Sequence, residues 1–284
     1  MRSGKHLIFA AVMMLLLTAV LVSCTHAPSD AFTVDFYKIG KADAMFLHGT
    51  GDDGKRFSIL IDTGESDDAV EIAEKIRQSG TETLDYLILT HFDKDHIGGL
   101  VPLLSVLSAE TILMPDYVGE GEPYEAMAAL FAGGAYNTQV LTEDFSFTLG
   151  NTAFSVSVPK TAVYEKKQDN NSSLVITVTH GNNTLYLAGD AEAERQSELI
   201  SELSGAAVTG TTLLKVPHHG VWNKGLDAFF AACRPAYAVI TCSDKNPADA
   251  ETLRALEALG TAVYLTADGD IRVTCTENEI SVTQ

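Results

Sequence analysis

The chain has 284 residues, enough to bury a full hydrophobic core, and length alone admits one large domain or two small ones. At 46% hydrophobic and 20% charged it has a globular composition, and no Gly/Ser-rich, Pro-rich or single-sign block divides it, so one domain is the simpler expectation. With 19 Lys+Arg against 38 Asp+Glu, a formal −19, binding to nucleic acid through a globally positive field is excluded, although a local basic patch is not.

In chain order, "MRSGKHLIFAAVMMLLLTAVLVSC" sets Arg2 and Lys5 before sixteen uncharged, mostly apolar residues from Leu7 to Val22. A basic start and a run on the short side for a membrane span read as a secretory signal over 1–23. The ending "LVSC" resembles a bacterial lipobox, which implies lipidation of Cys24 and a tether over 24–32 at the extracytoplasmic face of the cell membrane. An uncleaved anchor or a plain secreted protein is the competing reading. Loss of 1–23 leaves 17 Lys+Arg against 38 acids, a formal −21. Cys233, Cys242 and Cys275 then remain; without C-x-x-C spacing they read as small buried residues with at most one disulfide.

From residue 33 to 284 strands and helices interleave. "VDFYKIGKADAMFL" and "FSILIDTG" flank the turn "GTGDDGKR" as a hairpin, and "DDAVEIAEKIRQSG" has the apolar spacing of an amphipathic helix. "LDYLILTHFD" is a strand, "IGGLVPLLSVL" begins a helix, "TILMPD" is a strand and "EPYEAMAALFAGG" a helix. "FSFTLGNTAFSVSVP" and "SSLVITVTHGNNTLYLAGD" follow as strands, the latter a hairpin, and then the helix "AEAERQSELISEL". The end reads strand, helix, strand, helix and a strand pair, "AVYLTADGDIRVTC". The pattern predicts an α/β (α+β) protein with helices covering mixed sheets.

Several strands stop at polar residues: "ILIDTG" at Asp62, "LILTH" at His91, "LYLAGD" at Asp190, and "LLKVPHH" at His218 and His219. A buried sheet presents chemistry along one edge in this way. Between "LILT" and "IGGL", His91, Asp93, Asp95 and His96 crowd into six residues. Imidazole and carboxylate together suit zinc, manganese or iron. The bland alternative is a solvated acidic loop with two incidental histidines.

"THFDKDHIGG" resembles the H-x-[HD]-x-D-H signature of the metallo-β-lactamase superfamily. With "IGKADA" and "ILIDTG" before it, and "SLVI", "LAGDAE" and "LKVPHHG" after it, the chain is similar to the hydrolase domain of ComEC-type DNA-uptake (competence) proteins from about residue 33 to 275. The resemblance implies a four-layer αβ/βα sandwich of two mixed β-sheets and two divalent metal ions, Zn²⁺ or Mn²⁺. It places His91 and Asp93 on the first ion, Asp95, His96 and one histidine of "PHHG" on the second, and Asp190 between them. Two such ions can generate a hydroxide nucleophile near neutral pH. Successive strand residues face opposite ways, so one histidine is expected on the metal and the other beside the substrate; both assignments stay open, with His218 favoured as ligand and His219 as the catalytic neighbour. Asn170 stands where the superfamily commonly has a third histidine, leaving an oxygen-rich first site that favours Mn²⁺. Asp95 is expected to be catalytic as well as a ligand. Asp62 is expected to orient a ligand histidine, with a turn aspartate as the alternative. Asp43 lines the site or caps a strand, Lys215 meets a phosphate or is an edge lysine, and His48 is solvent-exposed. The implied activity is a lipid-anchored phosphodiesterase or nuclease on nucleic acid. Another extracellular phosphodiester, or a non-catalytic metal-binding module, is the alternative. "VWNKG" after "HHG", where competence-type domains tend to have serines, leaves the substrate less defined than the metal centre.

Overall fold

The computed structural model describes residues 31–204 and 210–284, so the signal segment, Cys24 and the tether up to residue 30 lie outside the described residues. Apolar residues alternating along short strands build two sheets. The first runs in the order β15 (Ile280–Thr283), β14 (Ile271–Cys275), β1 (Phe32–Phe36), β2 (Met45–Thr50), β3 (Arg56–Ile61), β4 (Thr83–Ile88), β5 (Ser108–Pro115) and β6 (Thr138–Leu141). The second runs β13 (Ala262–Leu265), β12 (Tyr237–Ile240), β11 (Thr212–Lys215), β10 (Asn183–Leu187), β9 (Val175–His180), β8 (Thr152–Ser157) and β7 (Phe145–Leu149). Both are mixed. β3 to β6 are parallel in the first, β10 to β13 in the second, and the other pairs are antiparallel.

The inner faces meet in a central layer, where Val34, Leu47, Ile59 and Ile61 pack on Ile176, Leu185, Leu187, Leu213 and Val239. Each such aliphatic side chain contributes about 1.5–3 kcal/mol by leaving water. Alternate residues point outward to helices. Phe46, Leu60 and Leu87 face α1 (Ala69–Gln78), α2 (Lys94–Ile97), α3 (Leu100–Leu104) and α4 (Glu122–Ala132). Tyr186, Leu214, Ala238 and Ile240 face α6 (Ala193–Leu203), α7 (Leu226–Cys233) and α8 (Ala250–Ala258); the one-turn α5 (Gln168–Asn171) precedes β9. α1 shows why these helices form: Ala69, Ile72, Ala73 and Ile76 line one buried face, while Glu71 and Lys75 pair at 3.0 Å on the other. The result is the αβ/βα layering expected from the sequence.

Three local expectations change. "VDFYKIGKADAMFL" is two strands, β1 and β2, because Gly40 takes φ +84° and a loop carrying Asp43 interrupts the run. The last apolar pair is divided between sheets, since β13 pairs with β12 while β14 pairs with β1. Helix begins inside the acidic cluster, so Asp95 and His96 lie on α2 rather than on a loop. Cys233, Cys242 and Cys275 are buried free thiols, and burial pushes Cys275 up to about 12. Among the described residues no helix is long and apolar enough to cross a membrane.

Candidate metal centre

The site lies at the ends of β3, β4, β10 and β11 that face one edge of the sandwich. β3 delivers Asp62, β4 leads to Thr90 and His91, and the first turn of α2 carries Asp95 and His96. The glycines of "HIGG" allow that turn to sit close: a Cβ at Gly99 would come 2.2 Å from the Thr63 carbonyl oxygen. From the second sheet, β10 runs into Gly189 and Asp190. Gly189 has φ +51°, and a Cβ there would meet Thr90 and Ser173 at 3.1 Å.

Four residues converge. His96 Nε2 lies 3.3 Å from Asp190 Oδ1, and His219 Nε2 lies 3.4 Å from both Asp190 Oδ2 and Asp95 Oδ2. One ligand atom from each of Asp95, His96, Asp190 and His219 falls within 4.8 Å of all the others. Beside them, the His91 ring centroid is 4.0 Å from that of His96, and His91 Nε2 is 3.7 Å from Asp93 Oδ2. His91 Nε2, His96 Nε2, His219 Nε2 and Asp190 Oδ1 are buried without an aligned hydrogen-bond partner. Orphaned lone-pair atoms of this kind are costly unless a ligand satisfies them, so the donor set fits divalent cations.

The supporting layer sets the ring orientations. Asp62, fully buried at φ +58°, accepts at Oδ1 from the Thr90 N–H and at Oδ2 from the Thr90 hydroxyl and His96 Nδ1, all at 2.7 Å. A carboxylate at this position can only accept, so His96 keeps a proton on Nδ1, and in its neutral, cation-binding form it turns a bare Nε2 toward Asp190. The Thr90 hydroxyl gives its hydrogen to Asp62 and accepts at 3.1 Å from His91 Nδ1, which leaves His91 Nε2 bare too. His219 Nδ1 donates to the Thr241 carbonyl at 2.9 Å. Asp43, Asp62 and His96 also lie within 4.8 Å of one another, but the Asp62 oxygens are spent on Thr90 and His96, Asp43 Oδ1 accepts from the Thr241 hydroxyl, and Asp43 Oδ2 is ion-paired with the Lys215 ammonium.

Without cations the histidines and carboxylates titrate against each other. Burial acts to lower His96, but Asp190 and Asp62 outweigh it and hold the imidazole well above its usual range. His219 is likewise raised to about 9, burial being overcome by Asp190 and Asp43. Burial would raise Asp190 and Asp95; His219 and His96 outweigh it and keep both carboxyls well below the usual carboxylate range. The cluster is therefore a preformed charge array, and a cation entering it must displace imidazolium protons.

The two adjacent histidines stand the other way round from the expected placement. β11 ends at Lys215, and Pro217–Gly220 forms a 3-10 turn in which His218 and His219 have φ of 46° and 53°. The turn sends His219 inward to Asp95 and Asp190, whereas His218 Nε2 stays 3.9 Å from Asp190 and its Nδ1 donates to Glu192 at 2.9 Å. His218, favoured as ligand from the sequence, thus lies at the open side. Asn170 donates to Glu192 at 3.2 Å and sits 3.4 Å from His218 Nδ1, so it frames His218. Lys215 cannot meet a phosphate: it is fully buried, with its ammonium 2.7 Å from Asp43 Oδ2. Asp43 lies behind the histidines rather than on the wall of the site, 4.0 Å from His96 Nδ1 and 3.5 Å from His219 Nδ1. His48 is not solvent-exposed as expected; it stacks on Phe46 and bonds Asp35 at 3.3 Å, away from the site. Glu192, Thr90 and Thr241 were not singled out by sequence reasoning. Glu192 follows Asp190 by two residues in "GDAE" and was the one most open to recognition. Asp169 is raised by burial and by the neighbouring Asp93 carboxylate, which places its charge beside the His91–Asp93 pair.

The chain is 29% identical over 230 residues to ComE operon protein 3 of Bacillus subtilis (strain 168), a match covering 75% of this chain and 28% of that protein. Recombination protein 2 of Haemophilus influenzae is 27% identical over 282 residues, covering 96% of this chain and 32% of the relative. The chain thus spans about a third or less of the length of these relatives. Among solved structures, the metallo-beta-lactamase fold protein YhfI from Bacillus subtilis superposes with a TM-score of 0.51 at 14% identity, over 88% of this chain and 99% of that one, and shares the fold. Residues 50–242, which hold every residue of the converging group, match the family model of the metallo-beta-lactamase superfamily, and the chain belongs to that superfamily.

Proposed function

We propose that this chain is an extracytoplasmic, lipid-anchored, metal-dependent phosphodiesterase that acts on DNA or nucleotide phosphodiesters. The observation that carries the reading is the convergence of two buried imidazole Nε2 atoms, those of His96 and His219, on the Asp190 carboxylate at one sheet edge, with the buried His91 Nε2 beside them. In this reading His91 and Asp93 hold a first divalent ion, Asp95, His96 and His219 hold a second, and Asp190 is shared. The oxygen-rich first pair suits Mn²⁺, and the second set suits Zn²⁺ or Mn²⁺. When bound, such a pair supplies Lewis acidity to a phosphoryl oxygen and lowers the pKa of water. The protein's own contribution is orientation. Asp62 and Thr90 fix His91 and His96, Thr241 fixes His219, and His218, held by Glu192, faces the open side where a leaving oxygen would need a proton.

Similarity to Recombination protein 2, whose name places it in recombination, supports a DNA substrate. The formal −21 left after loss of 1–23 supports a second reading, a wall-polymer or phosphocholine phosphodiester of the cell surface, because an acidic chain gains little from attraction to a DNA phosphate backbone. The test is to supply Mn²⁺ or Zn²⁺ to the metal-free protein and assay bis-p-nitrophenyl phosphate alongside labelled DNA. Cleavage of both supports the nuclease reading, and cleavage of the chromogenic diester alone supports the second. Absence of turnover with either ion at full occupancy refutes the phosphodiesterase and leaves a metal-binding module. The anchor is tested separately by metabolic labelling with a fatty acid, which Cys24→Ala should abolish.

A further inference from the structure

The atoms of the converging group come from two different sheets. Asp95 and His96 follow β4 of the first, whereas Asp190 and His219 follow β10 and β11 of the second. One node joins the two edges directly behind them. Asp43, on the loop between β1 and β2, is tied into the first sheet by its backbone: its N–H donates to the Asp95 carbonyl at 3.0 Å, and its carbonyl accepts from the Gly64 N–H at 2.8 Å. Its carboxylate reaches the second sheet, where Oδ2 lies 2.7 Å from Lys215 Nζ and Oδ1 accepts from the Thr241 hydroxyl at 2.5 Å. Thr241 in turn holds His219 through its carbonyl. The parity of the strands explains the placement. Leu213 and Val239 point into the central layer, so Lys215 and Thr241, two residues on, point to the same side.

Asp43 and Lys215 are both fully buried, so neither can touch a substrate. A buried ion pair loses in desolvation about what it regains in attraction, so fold stability alone does not account for one here. We propose that Asp43, Lys215 and Thr241 are positioning residues: a strut between the sheets that sets the spacing of the Asp95–His96 half of the metal centre against the Asp190–His219 half. The strut rests on the two-ion reading above. It acts most on the second ion, whose donors divide evenly between the two halves, and less on the first, which takes only Asp190 from the second sheet.

The experiment titrates Mn²⁺ and Zn²⁺ into the metal-free protein by calorimetry, with ion stoichiometry by elemental analysis and thermal unfolding of the metal-free form in parallel. The double variant Asp43→Asn/Lys215→Met removes both charges without stranding either. Its metal-free melting temperature should stay near that of the parent, while one ion binds about 10- to 100-fold more weakly and the other is weakened less. Thr241→Val keeps the carbonyl that accepts from His219 Nδ1 and removes the hydroxyl that ties Asp43 to the same ring, 3.0 Å from His219 Nδ1; it should weaken the same ion by about tenfold. If the double variant does not fold, Thr241→Val decides the matter. Parent-like binding of both ions in the variants that fold overturns the strut and leaves the two-ion reading standing. A parent protein that binds neither ion overturns the two-ion reading, and the strut with it.

Discussion

Asp62→Asn isolates what a single carboxylate does for two imidazoles. In the parent, three donors point at Asp62: the Thr90 N–H at Oδ1, and the Thr90 hydroxyl and His96 Nδ1 at Oδ2, each at 2.7 Å. An asparagine can be placed in two ways. With its amide group toward Thr90 N, two buried N–H groups face each other, at a cost of about 1–3 kcal/mol. With its oxygen toward Thr90 N, every contact is satisfied, but only if His96 Nδ1 becomes an acceptor and its proton moves to Nε2. In that arrangement the amide also donates to the Thr90 hydroxyl, which is then free to donate to His91 Nδ1 at 3.1 Å and reverse that ring as well. The second arrangement wins, and it turns N–H groups toward the place where cations would bind. Backbone strain does not confound the change, since Asn tolerates the left-handed φ of +58° as Asp does. The expected result is a metal-free melting temperature near the parent's, with ion affinity lower by about 10- to 100-fold, or about 1.4–2.8 kcal/mol. Metal titration of the metal-free protein followed by calorimetry measures it. Parent-like affinity for both ions in Asp62→Asn would show that Asp62 does not set the tautomers.

Thr90→Val removes the relay to His91 but leaves the Asp62–His96 bond intact, so one ion should weaken by about tenfold while the other is retained; equal weakening of both would contradict the relay. His219→Ala should cost the protein one bound ion by elemental analysis, whereas His218→Ala should keep both and slow turnover about 10²- to 10⁴-fold; loss of an ion from His218→Ala alone would return His218 to the ligand set. Far from the site, burial acts to raise Asp35, but bonds from His48 and Arg272 outweigh it and lower its pKa. A lowered carboxyl stabilises the fold above the unfolded value of 3.8, and that contribution is lost as pH falls through the lower folded value. Asp35→Asn should therefore cost about 1–2 kcal/mol near neutral pH, and the gap to the parent in urea melts should narrow toward about pH 3; a gap that stays constant would assign the loss to packing.

The layers and the polar strand ends that meet at one edge were legible because each rests on a local pattern: alternating apolar residues, then a break at Asp62, His91 or Asp190. The exchange of His218 and His219 was not. The alternation rule used to separate them assumes a continuing strand, but Pro217 ends β11 and two left-handed residues reverse the turn. Lys215 was misread for a related reason. A lysine near an active edge suggests contact with anionic substrate, yet its parity with Leu213 carries it inward, and only the fold shows Asp43 waiting in the opposite sheet. Glu192 stayed unassigned because its role exists only through His218, which another segment brings alongside it.

The pairing of β1 with β14, in which Phe32 stands opposite Cys275 and Phe36 opposite Ile271, bears on how the chain reaches this structure. β1 joins the first sheet between a strand that follows it closely and one from the far end of the described sequence. Until β14 arrives, β1 is an edge strand with Phe32, Val34 and Phe36 on one face, the kind of edge that recruits other chains. Such long-range pairing slows folding, because loop closure must be completed before the contacts are gained. The step that adds β14 is therefore also the step that covers this apolar edge, and damage to β14 would be felt first as loss of yield rather than loss of chemistry.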